Sequence, residues 1–489
     1  MHSLRIKHLP YLLLLLLALS QSADSLALAQ SLQLTPCDVP GIKAKAQCGN
    51  LEVFENRVTQ KGRRIKLKVV VSPAASTERL PDPVFYLAGG PGSSAIEDAP
   101  GVVEEFKNVN QHRDLVFVDQ RGTGSSHPLD CEFYRKNDPQ STLGSYFPLD
   151  DVKKCREQLE RDADLTLYTT PIAMDDLDDV RAALGYERIN LVGGSYGTRA
   201  SMVYLRQHPD HVRVVILQGV SPTNHFMPYD FPQSTERALQ GVISECVADQ
   251  KCNQAFPNLR AEVKAVLEKL LQGPVEVNVP SPGIAASETK LRLSRDLAAE
   301  AIRYMLYSAA GGSRVPLVLH QAASGNFVPL TQAAVGFRQQ IVATGSNGMY
   351  LSVTCAEDLP WIKAGEGERL ALNTFLGDYR LRQQREACAL WPRGQVPSDY
   401  SAPVQSAAPV LILTGEWDPV TPPKNGDYVA RHFPNSLHIV VPHGGHGLFG
   451  LEGLECLDRL STQFVEEGTT KNLDQSCVKT IRRRGFDLK

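Results

Sequence analysis

The sequence predicts an α/β protein, with a mostly parallel central sheet interrupted by an inserted, mainly helical cap. Three observations carry this prediction. Short apolar runs alternate with helical patterns through residues 84–219. The alternation then stops, and from about Ser221 to Ser406 helical segments dominate between loops rich in Pro, Gly and Ser. Apolar strand patterns return at residues 410–414 and 437–441. The expected organisation is a signal peptide over 1–29, a first core part over 30–220, the cap over 221–406 and a second core part over 407–489.

The N-terminus reads as an export signal. Arg5, Lys7 and His8 precede an apolar run over residues 9–19, and Ala27-Leu28-Ala29 offers small residues where a peptidase would cut. The run is too short to span a bilayer comfortably, so the mature chain is expected to have no stable membrane insertion and to be periplasmic or secreted. All ten cysteines follow the signal. Pairing nearest neighbours gives Cys37–Cys48, Cys131–Cys155, Cys246–Cys252, Cys355–Cys388 and Cys456–Cys477, the expected disulfides of an oxidising compartment. The 489 residues are 42% hydrophobic and 21% charged, a globular composition. A formal net charge of −3 gives no electrostatic basis for binding nucleic acid. Nothing in the sequence sets an oligomeric state.

Taken in order, Leu51-Glu52-Val53 and Ile65-Lys66-Leu67-Lys68-Val69 alternate apolar with polar, as half-buried antiparallel strands do, with Lys61-Gly62 as the turn. The apolar run 84–88 leads into Gly89-Gly90-Pro91-Gly92, a loop with little side-chain bulk whose backbone N–H groups can approach a substrate carbonyl. Residues 115–118 form the next buried strand, followed by Asp119-Gln120-Arg121-Gly122-Thr123-Gly124-Ser125. Arg121 is expected to pack loops together rather than to bind a carboxylate. Leu177, Val180, Ala183 and Leu184 mark one face of a helix that Gly185 ends.

The next element organises the rest. The apolar run 189–192 meets Gly193, Ser195 and Gly197, and a helical pattern follows over 198–207. Strand, sharp turn and helix around G-x-S-x-G form the setting of a nucleophile elbow. In the cap, helical patterns cover residues 261–271, 297–307 and 369–379. Beyond it, the strand over 410–414 ends at Gly415-Glu416-Trp417-Asp418-Pro419, and that over 437–441 ends at Pro442-His443-Gly444-Gly445-His446-Gly447. A closing helix is expected over 454–467. Serine, aspartate and histidine thus follow strand ends in the order that the α/β-hydrolase fold uses. Asp119 and Asp358 also lie near element ends, but Asp418 follows a late strand and precedes the histidine. His443 is the rival histidine, and its H-x-x-H spacing with His446 is a metal half-site without a further ligand cluster.

These motifs resemble those of the proline iminopeptidase and tripeptidyl aminopeptidase group of α/β-hydrolases, over nearly the whole mature chain. The length, export signal and large insertion are closer to the secreted tripeptidyl aminopeptidase-like branch. That group often has histidine before the Gly-Gly-Pro-Gly loop, where this chain has Ala88. The resemblance implies removal of amino acids or short peptides from a free N-terminus, with cap carboxylates holding the substrate ammonium. Glu357 and Asp358, beside Cys355, are the candidates. The expected mechanism has Ser195 as nucleophile, His446 as general base and then acid, Asp418 orienting the imidazole, and the Gly90 and Tyr196 N–H groups holding the oxyanion. No cofactor or metal is expected, and the partner is a peptide or small-molecule substrate. Two alternatives stand beside this reading. One is an esterase or amidase with the same triad, and the other is an inactive binding module, against which the intact Ser, Asp and His argue.

Overall fold

The computed structural model describes residues 32–42, 45–135, 138–280 and 288–489. The expected signal peptide lies outside the described residues. Nine strands form one sheet: β1 (Thr35–Cys37), β2 (Ala46–Phe54), β3 (Arg64–Ser72), β4 (Val84–Leu87), β5 (Leu115–Val118), β6 (Ile189–Gly194), β7 (Val212–Gln218), and, after the insertion, two more. The insertion holds its own antiparallel pair, β8 (Val275–Pro280) and β9 (Glu288–Leu293). The returning strands are β10 (Val410–Gly415) and β11 (Ser436–Val441). The sheet order is β1-β2-β3-β5-β4-β6-β7-β10-β11. The first three pairings are antiparallel and all those from β5 to β11 are parallel.

Burial along each strand follows from its place in that order. β2 over its second half and β3 over its first half, which pair with each other, alternate buried and exposed positions, because one face meets water there. β5 and β10 are buried at every position, because helices cover both faces. Within β6, Leu191 packs with Val203 and Leu177 on one face, while Val192 packs with Ile216, Leu411 and Phe464 on the other. That is the period of two expected of a strand.

The helices of the insertion divide between two cores. Leu239, Leu259, Ile302 and Leu319 form a cluster of their own. Met349, Leu351 and Val353, on the helix Asn347–Glu357, instead join the cluster beneath the sheet. All five expected disulfides are present. Among the described residues no helix is long and apolar enough to cross a membrane.

One local expectation needs correcting. Residues 369–379 are not one helix. Glu366–Ala371 ends, the chain turns through Asn373 and Gly377 at φ values of 59° and 67°, and a new helix runs over Tyr379–Leu390. The new helix buries Leu381, Gln384 and Ala387. Within the mainly helical insertion, Val277, Val279, Leu291 and Leu293 bury one face of the β8–β9 pair against its helices.

Arg121 has the structural role expected of it. It is fully buried, pairs with Asp176 at 2.6 Å and donates to the Glu55 and Leu167 carbonyls. Asp119 is likewise a tie between loops, accepting from the Ser94 hydroxyl at 2.6 Å and from the Ser125 N–H at 2.9 Å.

Candidate active site

Ser195 stands immediately after β6, at the start of the helix Tyr196–Gln207, with φ 55° and ψ −121°. A non-glycine residue at positive φ is strained and persists only where its surroundings fix it. Here the fixing is close packing by glycine. A Cβ on Gly197 would lie 2.0 Å from the Leu87 carbonyl oxygen, and one on Gly193 would lie 2.4 Å from that of Gly197. The Ser195 N–H also donates to the Gln218 carbonyl at the end of β7, at 2.8 Å.

Asp418 and His446 follow the C-terminal ends of β10 and β11. His446 Nε2 is 2.9 Å from Ser195 Oγ, and its Nδ1 is 2.8 Å from Asp418 Oδ2. Asp418 is fully buried. Its Oδ1 accepts from the Val420 and Thr421 N–H groups, at 2.7 and 2.8 Å, and its Oδ2 accepts from the Thr421 hydroxyl at 2.7 Å. Burial by itself would raise its pKa, but the neighbouring imidazole and the Thr421 bonds outweigh it and hold the carboxylate below its usual range. An ionised acceptor on Nδ1 puts the neutral ring's proton there and leaves Nε2 free to take the serine's.

The insertion steadies this loop. The Gly447 N–H donates to the Tyr307 carbonyl at 2.6 Å, and the Tyr307 ring meets the His446 ring edge-on, centroids 5.1 Å apart. Burial pushes the Tyr307 phenol up to about 12, so it is neutral near pH 7. Arg237, on the helix Phe231–Ala248, donates to the Glu416 and Asp418 carbonyls.

The other sequence-predicted residues divide. Gly90 lies against the site: the neighbouring Gly89 would bring a Cβ within 3.3 Å of Ser195 Cβ, and Gly90 itself lines the same cavity as Ser195 and His446. The Tyr196 N–H opens its helix, where backbone donors have no partner in the preceding turn. The Tyr196 side chain is buried away from it, with its hydroxyl 2.7 Å from Thr170 Oγ1. His443 does not reach Ser195; its Nδ1 pairs with Glu245 at 2.7 Å.

Glu357 and Asp358 are not substrate-facing. Both are fully buried, and neither lines the cavity beside Ser195. Glu357 accepts from the Thr170 N–H and hydroxyl at 2.6 and 2.7 Å and from the Tyr400 hydroxyl. It thus sits at the N-terminus of the helix Thr170–Ala183, where a helix favours negative charge. Asp358 pairs with Arg199 at 2.8 Å, and both side chains are wholly inaccessible. Glu357 thus ties the helix carrying Cys355 to the helix Thr170–Ala183, and Asp358 ties it to the helix that follows Ser195.

The cavity itself measures about 290 Å³, at the small end for ligand sites. Besides Ser195, His446 and Gly90 it is lined by Phe231, Phe337, Tyr350, Tyr307, Arg303 and Arg380. The sequence reading missed the last three. A signal was present, because Glu300 and Arg303 stand one helical turn apart among alanines and other apolar residues. Burial would raise the Glu300 pKa, but Arg303, Arg380 and the Tyr379 hydroxyl outweigh it and keep the carboxylate ionised.

A serine raised on a strand-to-helix turn beside a histidine that bonds a buried aspartate, on this sheet order, defines an α/β-hydrolase. The chain belongs to that family: the family model described as alpha/beta hydrolase fold matches residues 82–452. It is 26% identical to the protein named serine protease Hip1 of Mycobacterium tuberculosis (strain ATCC 25618 / H37Rv), over 92% of this chain and 91% of that one. It is 26% identical to a tripeptidyl aminopeptidase of Streptomyces lividans, over 88% and 83% of the two chains. A protein of the same Mycobacterium tuberculosis strain named carboxylesterase B is 25% identical, over 88% and 86%.

Proposed function

We propose that the chain is an exported serine hydrolase that cleaves amino acids or short peptides from peptide substrates through an acyl-enzyme. Ser195 attacks the carbonyl, and His446 takes its proton and then passes it to the leaving amine. Asp418 orients the ring and stabilises its cation. The Gly90 and Tyr196 N–H groups hold the oxyanion. The observation that carries this reading is the unbroken hydrogen-bond path from Ser195 Oγ through His446 to Asp418. The relatives named serine protease and tripeptidyl aminopeptidase support peptide bonds as its target. The cavity's small volume suits a short acyl group better than a long stretch of chain. Five disulfides and the signal-like N-terminus support a periplasmic or secreted location. We further propose that residues 221–406 act as the cap over this site.

A second reading, hydrolysis of small esters or non-peptide amides, has one observation in its favour. Among the described residues, no carboxylate lines the cavity to hold a substrate ammonium. The test uses chromogenic amides of one to three residues, with free and acetylated N-termini, and the corresponding esters. Turnover of the free amides alone establishes an aminopeptidase. Equal turnover of blocked and free amides moves the chain to the general hydrolase reading. Failure of wild type to react with a fluorophosphonate, or full activity in Ser195→Ala, sinks both.

A further inference from the structure

Among the described residues, the cavity beside Ser195 is lined by two arginines and by no acidic residue. Arg303 and Arg380 are 2% and 4% exposed. Both turn to the same acceptor, Glu300 Oε1, at 2.9 and 2.8 Å. Glu300 is fully buried, and its other oxygen accepts from the Tyr379 hydroxyl. One carboxylate therefore serves two guanidiniums, and one positive charge is left without a counter-ion.

Arg338 adds to that excess. It is 1% exposed and, among the described residues, donates only to neutral oxygens, the Tyr134 hydroxyl and the Gly144 carbonyl. The Tyr146 ring lies between it and Arg380, with the two guanidinium carbons 4.5 and 3.6 Å from the ring centroid. Arg303 lies over the Phe231 ring at 4.2 Å. Aromatic faces soften a buried cation but do not neutralise it. The Nε atoms of Arg303, Arg338 and Arg380 have no hydrogen-bond partner among the described residues. Uncompensated charge in a low-dielectric site is costly, and an anion entering the cavity would relieve it.

We propose that this cavity selects substrates carrying a carboxylate, which Arg303 and Arg380 hold. The proposal rests on the serine-hydrolase reading and narrows its substrate class. Guanidinium groups suit carboxylates in geometry and in charge. Phe231 and Phe337 offer apolar surface to the short stem that would carry the acid. The carboxylate can come from an acidic side chain on the acyl side or from the α-carboxylate of the leaving residue.

Two matched substrate sets separate these sources. One pairs chromogenic amides with Glu against Gln on the acyl side. The other pairs dipeptides with a free α-carboxylate against their C-terminal amides. The expected result is a preference of about tenfold or more in kcat/KM for the charged member of one set. For any pair that is not cleaved, protection of the serine from a fluorophosphonate reads the same ratio. Preference in either set supports the proposal and says which side bears the charge. Ratios at or below one in both sets overturn it. Arg303→Gln should bring the ratio toward one, and an unchanged ratio in a folded variant overturns it too. If that variant does not fold, the wild-type ratios still decide. A wild-type chain that neither reacts with the label nor turns over any substrate removes the hydrolase reading and this proposal together. A labelled chain that treats charged and neutral members alike removes only this one.

Discussion

Two buried carboxylate systems flank the helix that follows Ser195, and they differ in where their bonding ends. Asp418 accepts from Val420 and Thr421 on one side and from His446 on the other, and His446 passes the connection out to a serine on a cavity wall. Glu357 and Asp358 accept from Thr170 and Tyr400 and pair with Arg199, and nothing in that set reaches the cavity. The carboxylates of both systems are equally buried. A chain of bonds that opens onto a cavity can move a proton to a bound molecule, whereas one that closes on itself can only hold helices together.

The comparison predicts different failures. The largest effect falls on the open system: Ser195→Ala and His446→Ala should each cut turnover by about three orders of magnitude or more with little change in melting temperature. Loss of activity in His443→Ala but not in His446→Ala would reverse the assignment of the histidine. Next comes the closed system. Asp358→Asn leaves Arg199 buried without its partner and should cost ~3–5 kcal/mol, lowering the melting temperature by roughly 3–5 °C in a chain of this length. An unchanged melting curve would mean that water reaches the pair. Replacing both partners by apolar residues should recover much of the loss.

A smaller effect sharpens the open system from within. Thr421→Val removes one hydroxyl bond to Asp418 and should cost about 1 kcal/mol of orientation, or roughly five- to tenfold in turnover. A loss as large as that of His446→Ala would show the threonine to be far more than a support. The smallest effect concerns His443. Its pairing with Glu245 raises its pKa above 6.5, so its stabilisation is fully present below pH 6.5 and fades as pH rises through the raised value. Melting curves of wild type and His443→Gln should therefore converge at alkaline pH. A constant gap between them would refute the assignment.

The open system was legible in sequence because each of its residues follows the end of a strand and Ser195 and His446 sit among glycines, which are local features. Ser195, Asp418 and His446 are brought together by strand order, and strand order follows from alternation and triad order. The closed system was not legible. Whether Glu357 faces a cavity or Thr170 depends on docking between segments 187 residues apart. The same limit hid Arg380, whose helix begins only after the turn at Gly377 that the helical pattern over 369–379 ran through. The β8–β9 pair was readable as Val275, Val277 and Val279 at alternate positions, but short alternations are easily lost among helical patterns.

The disulfides and the reactive serine also differ in how far along the chain their partners lie. Each bridge joins cysteines 6 to 33 residues apart, so each can close within a few dozen residues of emerging chain. The pair Ser195 and His446 is separated by 251 residues. A polypeptide made from its N-terminus therefore has the means to cross-link itself segment by segment while it is still inert. On the proposed assignment, a fragment that ends between residues 195 and 446 would carry the nucleophile but not its base, and should be inactive.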